Sequence, residues 1–254
     1  MNSSEPQSIP KEPRIKFVMG LPFHEMTNGS TLEECERILQ SERKQLHHMM
    51  TANADFVAQA GESASLRKIL CEADRVVCDG QPVVWASRLL GEALPERVAG
   101  SDLTPRLLEK SAASGYRVFI LGPDPATAEK LWEELPKRFP GIQVVGIASP
   151  PFSPIDEWEN ERFVAGINEA KADLLLVCLG FPKQDLWISQ FRDQLESVSL
   201  AVGVGASLDF IAGSQTRAPK WMQRTGLEWS WRMISDPRRM VKRYTHDFFS
   251  LIEE

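Results

Sequence analysis

No apolar run in this 254-residue chain approaches the roughly 18 residues needed to cross a bilayer, so nothing reads as a membrane span. Residues 1–14 are polar and proline-containing, lack the apolar centre of a secretory signal, and read as a disordered tail. Cysteine is scarce. Cys35, Cys71, Cys78 and Cys178 sit in apolar or helical runs at no metal-ligand spacing, which points to reduced, buried thiols in a cytoplasmic protein. Histidine is equally scarce: His47 and His48 are adjacent, His24 and His246 stand alone, and none pairs at ligand spacing. There is no Asp-x-Asp pair of the kind that holds a nucleotide diphosphate through a metal, no Gly-x-Ser-x-Gly elbow and no P-loop. The expectation is therefore no metal and no cofactor. Internal repeats and low-complexity tracts are also missing.

What is present is ordinary in bulk and uneven in detail. Hydrophobic residues make up 43% and charged residues 25%, as in a soluble globular protein long enough to bury a sizeable core. The net charge of −6 argues against general nucleic-acid binding. Residues 217–243 nevertheless carry Arg217, Lys220, Arg224, Arg232, Arg238, Arg239, Lys242 and Arg243 against Glu228 and Asp236, a window of +6 on a remainder of −12. Trp221, Trp229 and Trp231 fall in the same window. A basic, tryptophan-rich end on an acidic body suits an anionic ligand or an anionic surface. It reads as an amphipathic segment lying on a membrane face, a flap supplying arginines to a phosphate, or a helical hairpin packed by its tryptophans.

Buried-strand runs recur at Ile15–Met19, Leu46–Met50, Val76–Cys78, Val118–Leu121, Val144–Ile147, Leu174–Leu179 and Leu200–Val204. Helical periods lie between most of them, at 32–39, 56–70, 83–90, 103–113, 126–139, 158–170 and 185–195. Ser101 and Gly115 read as the cap and stop of one of these helices. Such alternation, with few tight hairpin signals, predicts an α/β fold: a Rossmann-like, mainly parallel sheet flanked by helices. After Gly213 the strands stop, so the predicted division is a tail at 1–14, a core at 15–213 and a basic helical C-terminal appendage at 214–254.

Three strand-to-loop junctions carry the chemistry. Val76-Val77-Cys78 ends at Asp79-Gly80-Gln81-Pro82, followed by the Arg97-bearing loop before Gly100-Ser101-Asp102. A carboxylate at a strand's mouth suits acid–base work where open α/β sheets bind ligands, though an Asx turn or helix cap at Asp79 is the commoner use of such a residue. Leu179-Gly180-Phe181-Pro182-Lys183-Gln184-Asp185 joins an apolar strand to a helix, with Gln184 placed to contact a sugar or phosphate, or simply to enter the helix. Gly203-Val204-Gly205 opens a helix whose amides suit an anion. Leu208 stands where a dinucleotide fingerprint wants glycine, which disfavours a nicotinamide-dependent oxidoreductase.

Taken in order, Thr51-Ala52-Asn53, Asp79-Gly80, Arg97 to Leu103, Leu179 to Gln184, Gly203 to Gly205, Arg217-Ala218-Pro219, Gly226 to Trp229, Arg232 and Pro237-Arg238-Arg239 resemble the bacterial WecG/TagA/CpsF glycosyltransferases, from about Ile15 to Tyr244. Asp185 stands where that family commonly has Glu, and Gln81-Pro82 where it has small or aliphatic residues. The resemblance implies metal-independent, inverting transfer of a sugar, N-acetylmannosamine or a relative, from a UDP donor. The acceptor it implies is a polyprenyl-diphosphate-linked saccharide of cell-surface polysaccharide or teichoic-acid-type synthesis. It places the base at Asp79 and substrate contacts at Thr51, Asn53, Gly80, Arg97, Gln184, Gly203, Gly205, Arg217, Arg232 and Arg239. It also implies an enzyme at the inner membrane face, held by its C-terminal segment, and leaves self-association open. The competing expectation is a non-catalytic nucleotide-sugar or polyanion binder.

Overall fold

Strands apolar along their whole length must be covered on both faces, and helices between successive strands meet that need. The computed structural model describes residues 12–42 and 45–225, together with Glu228 and Trp231. In chain order its first elements are β1 (Ile15–Val18), β2 (Leu21–His24), α1 (Asn28–Gln40), β3 (His47–Ala52), α2 (Ala54–Glu62) and α3 (Ala64–Glu72). Next come β4 (Arg75–Cys78), α4 (Gln81–Leu89), α5 (Gly100–Ser114), β5 (Arg117–Leu121), α6 (Pro125–Arg138) and β6 (Gln143–Ala148). The last are α7 (Asn160–Glu169), β7 (Leu174–Val177), α8 (Lys183–Phe191), β8 (Leu200–Gly203), α9 (Ser207–Ile211) and α10 (Lys220–Thr225).

Six strands form one sheet in the order β4-β3-β8-β7-β5-β6, and every neighbouring pair is parallel. The Rossmann-like α/β architecture expected from the alternation is therefore present. Alternate residues serve opposite layers. Leu174 and Leu176 of β7 join Met49, Ile120, Leu200 and Val202 under α1, α5, α6 and α9. Leu175 and Val177 join Leu121 and Ala201 against Trp187 and Ile188 of α8. Among the described residues no helix is long and apolar enough to cross a membrane.

Three readings need correction. β2 was not anticipated: it pairs antiparallel with β1, outside the main sheet, through a turn in which Met19 and Gly20 both have positive φ (53° and 75°). The turn needs that conformation at both central positions, and methionine at the first hides the usual Asn-Gly signal. The 56–70 helical period is two helices, because the Ser63 hydroxyl caps α3 by accepting from the Leu66 N–H. Ser101 is no cap: α5 starts at Gly100 after Ala99 without a side-chain cap, although Gly115 does stop it in the left-handed region. Residues 1–11 of the expected tail lie outside the described residues.

The cysteines are also not uniformly buried: Cys71 is exposed. Burial pushes the thiols of Cys35 and Cys78 up to about 12, and raises Cys178 well above the usual range. Thiolate is the reactive form. One thiol per native chain should therefore react rapidly with Ellman's reagent, and Cys71→Ser should abolish that signal; a second fast thiol would contradict the packing around the other three.

Candidate active site

The carboxyl ends of the adjacent strands β4, β3, β8 and β7 bring four distant sequence segments to one edge of the sheet. Asp79 and Gly80 follow β4, Thr51 and Asn53 close β3, Gly203 to Gly205 leave β8, and Gln184 opens α8 after β7. The Asp79 N–H continues the ladder by donating to the Ala52 carbonyl (2.9 Å). Its side chain does not cap α4, whose N-cap is Gly80 with no side-chain bond. Oδ2 instead accepts the first N–H of α5, from Gly100, at 3.2 Å. The carboxylate thus sits at the positive end of a 15-residue helix, half-buried and not sealed away. Burial, together with the neighbouring Asp79 charge, raises the Cys78 thiol.

Arg97 reaches the same edge because its loop is pinned on both sides. The Val98 N–H donates to the Cys78 carbonyl (2.7 Å), and Asn28 Nδ2 donates to the Arg97 carbonyl (2.9 Å). Beside it opens a cleft of about 670 Å³, lined by Gln81, Arg97, Asp102, Arg217, Lys220 and Gln223 among others. Two arginines and two acids close a ring of charge there. Arg97 bonds Asp102 (2.8 Å) and Glu228 (3.2 Å), while Arg217 bonds Asp102 (2.6 Å) and Glu228 (3.2 Å). Burial opposes the charge on Arg217, yet the hydrogen bond to Asp102 and the charge of Glu228 outweigh it and raise its pKa. Arg217 Nη2 remains buried without a hydrogen-bond partner. Among the described residues no cluster of three or more His, Cys, Asp or Glu could hold a metal.

A sequence model of the "Glycosyl transferase WecG/TagA/CpsF family" matches residues 16–252. The chain belongs to this family. It is similar to an N-acetylglucosaminyldiphosphoundecaprenol N-acetyl-beta-D-mannosaminyltransferase of Bacillus spizizenii (strain ATCC 23059 / NRRL B-14472 / W23), at 33% identity over 192 residues, 75% of this chain and 72% of that protein. A protein of the same name from Staphylococcus aureus (strain MW2) is 30% identical over 223 residues, 88% of this chain and 85% of that protein. The protein is thus a glycosyltransferase.

Within this glycosyltransferase the expected substrate contacts divide into two sets. Arg97 and Arg217 line the cleft. The others among the described residues lie deeper or serve local structure. Thr51 is buried and donates its hydroxyl to the Gly203 carbonyl (3.2 Å). Asn53 caps α2, its Oδ1 accepting from Asp55 and Phe56. Gln184 is 2% exposed and its Oε1 accepts the Gly205 N–H (3.0 Å), so neither that side chain nor that amide is presented to a ligand as the sequence suggested. An uncommitted glycine amide was the expectation; the Gln184 side chain, from the first turn of α8, supplied an internal partner instead. Arg232 and Arg239 lie outside the described residues.

Several participants were missed. Asp102 and Glu228 both lay in motifs that carry the resemblance but were given no role, since an acid in a basic segment reads as a solvated charge. Lys220, Gln81 and Gln223 were likewise not singled out for the cleft. His48 and Asp185 form a buried pair, Nε2 to Oδ1 at 3.0 Å, beneath the turn that Gln184 holds.

Gly203 is required by close approach: a Cβ there would run into Gln184 Nε2 and stand 2.8 Å from Asp185 Oδ1. Gly203→Ala should therefore lower stability by about 1–3 kcal/mol, as expected for overpacking. The shift in urea midpoint measures it, and an unchanged midpoint would show that the Gln184 side chain yields freely.

Proposed function

We propose that this protein transfers N-acetylmannosamine, or a closely related sugar, from a uridine diphosphate donor to a polyprenyl-diphosphate-linked saccharide by direct, inverting displacement. The observation that carries the reading is Asp79, a carboxylate seated on the first amide of α5, two residues before Gln81 of the cleft that Arg97 and Arg217 line. The names of the relatives support the sugar and the lipid-linked N-acetylglucosamine acceptor.

Asp79 acts as general base, taking the proton of the acceptor hydroxyl as that oxygen attacks the anomeric carbon. Uridine diphosphate leaves from the opposite face of the sugar. Its growing charge is offset by Arg97 and Arg217, with Lys220 at the same cleft and Arg232 and Arg239 as further cationic candidates of the appendage. Thr51, Asn53, Gly80, Gln184, Gly203 and Gly205 shape the floor of the site rather than reach the donor. Residues 15–213 form the catalytic core, and residues 214–254 an appendage that closes the cleft and meets the inner face of an anionic membrane.

The test is release of UDP from a panel of UDP-sugars with and without a synthetic lipid-diphosphate acceptor. Acceptor-dependent release supports transfer; binding of UDP without it would reduce the protein to a nucleotide-sugar binder. Because cationic side chains are assigned the leaving-group charge, turnover should survive EDTA. Loss of activity in chelator, restored by magnesium, would remove that assignment.

A further inference from the structure

Large apolar side chains are exposed at nine positions among the described residues, and six of them fall on two neighbouring elements. Ile15, Phe17 and Met19 alternate along the outer face of β1 and its turn, while Val18 between them is fully buried. Trp85, Leu89 and Leu90 occupy the free side of α4, whose opposite side buries Val83, Val84 and Ser87. The two elements are packed together, and Lys16 of β1 bonds Glu92 just beyond α4 (3.4 Å). Exposed Arg14 and Arg88 fringe these side chains, and the Arg67 guanidinium lies over the hairpin turn, 3.5 Å from where a Gly20 Cβ would stand.

We propose that the outer face of the β1–β2 hairpin and the free side of α4 are a membrane-docking surface, seating their apolar side chains among lipid chains and their arginines on anionic headgroups. Tryptophan, phenylalanine and leucine edged by arginine are the composition of an interfacial element, and each cation near an anionic surface adds about 1 kcal/mol. A second copy fits less well, because two such faces would oppose their arginine fringes. The surface leads to the cleft: Gln81 at the start of α4 lines it, and Leu89 lies about 12 Å further along the helix axis. Docking this way presents the cleft to a lipid-linked acceptor at the bilayer surface. That purpose rests on the proposed function; the docking itself does not.

Flotation of the full-length protein on phosphatidylglycerol-containing vesicles tests it. Phe17→Ser with Leu89→Ser should cut vesicle partitioning by about tenfold or more, since two apolar anchors are lost. Trp132→Ser, an exposed aromatic on α6, should float as wild type. Melting temperature should hold in the double variant, because both side chains are already exposed. Wild-type protein that fails to float, or a double variant that floats unchanged, overturns the proposal. So does loss of a wild-type dimer in sedimentation with flotation intact, which would assign the face to a second copy. Turnover on a water-soluble short-chain acceptor should be kept in the double variant and lost only on vesicle-embedded acceptor. If wild type turns over neither acceptor, the transferase reading fails while the flotation result stands.

Discussion

Asp79→Asn is expected to slow turnover by about 10²-fold or more while leaving donor affinity in place, the size of effect lost with a positioned general base. The substitution isolates the proton-accepting role. Asparagine keeps a side-chain oxygen that can accept the Gly100 N–H, so the start of α5 and the contact at 3.2 Å are retained. It cannot take up a proton at neutral pH. Asp79→Ala removes both the base and the acceptor, and should add a stability loss of about 1–3 kcal/mol for the amide left without its partner. The two variants therefore separate catalysis from scaffolding. The decisive measurement is kcat alongside the Kd for UDP by titration calorimetry. Near-normal turnover in Asp79→Asn would remove this carboxylate from the base role.

Arg97→Gln is expected to lower kcat/KM by about 10²–10³-fold, the scale of losing one charge-stabilising donor. Arg97 has two commitments in the structure, to Asp102 through Nη2 and to Glu228 through Nη1. Its removal leaves Arg217 to balance both acids and strips one positive charge from the cleft. UDP should bind more weakly as a result. Lysine should not restore the activity, because a single ammonium cannot serve two carboxylates with the spread of a guanidinium. Asp102→Asn provides the comparison: it loosens the ring without subtracting a cation, so UDP affinity should hold or rise. If Arg97→Gln lowers thermal stability but leaves UDP affinity and kcat untouched, the ring is a structural clasp and the diphosphate lies elsewhere.

Much of the architecture was legible because burial leaves a local trace. Fully apolar runs such as Leu174 to Val177 announce strands covered on both faces, and the periods between them announce helices. Even the interrupted run at His47-His48 is a strand, because His48 points into a buried pocket of its own with Asp185. The β1–β2 hairpin escaped notice because a positive φ at Met19 has no residue signature. The break at Ser63 escaped because amphipathic period continues across two helices on the same layer.

The site divides in the same way. Asp79 and Arg97 were legible as a carboxylate and a cation at the mouth of a strand, and in the fold both meet the first turn of α5, at Gly100 and Asp102. The burial of Gln184 was not, since its partner, the Gly205 amide, arrives from β8, a strand adjacent in space only after folding. Glu228 could not be recognised for the same reason. Its meaning comes from Arg97, 131 positions earlier in the chain.

By itself, then, the amino-acid order determined the class of fold, the places where strands end, and which chemical groups stand there. Only the tertiary structure decided which of those groups bond one another: that Asp79 holds α5 rather than α4, that two acids share two arginines, and that one glutamine is spent internally. The reason is one of range. Period and capping act over a few residues, whereas a hydrogen-bond partner depends on the spatial order β4-β3-β8-β7, which no local stretch of chain encodes.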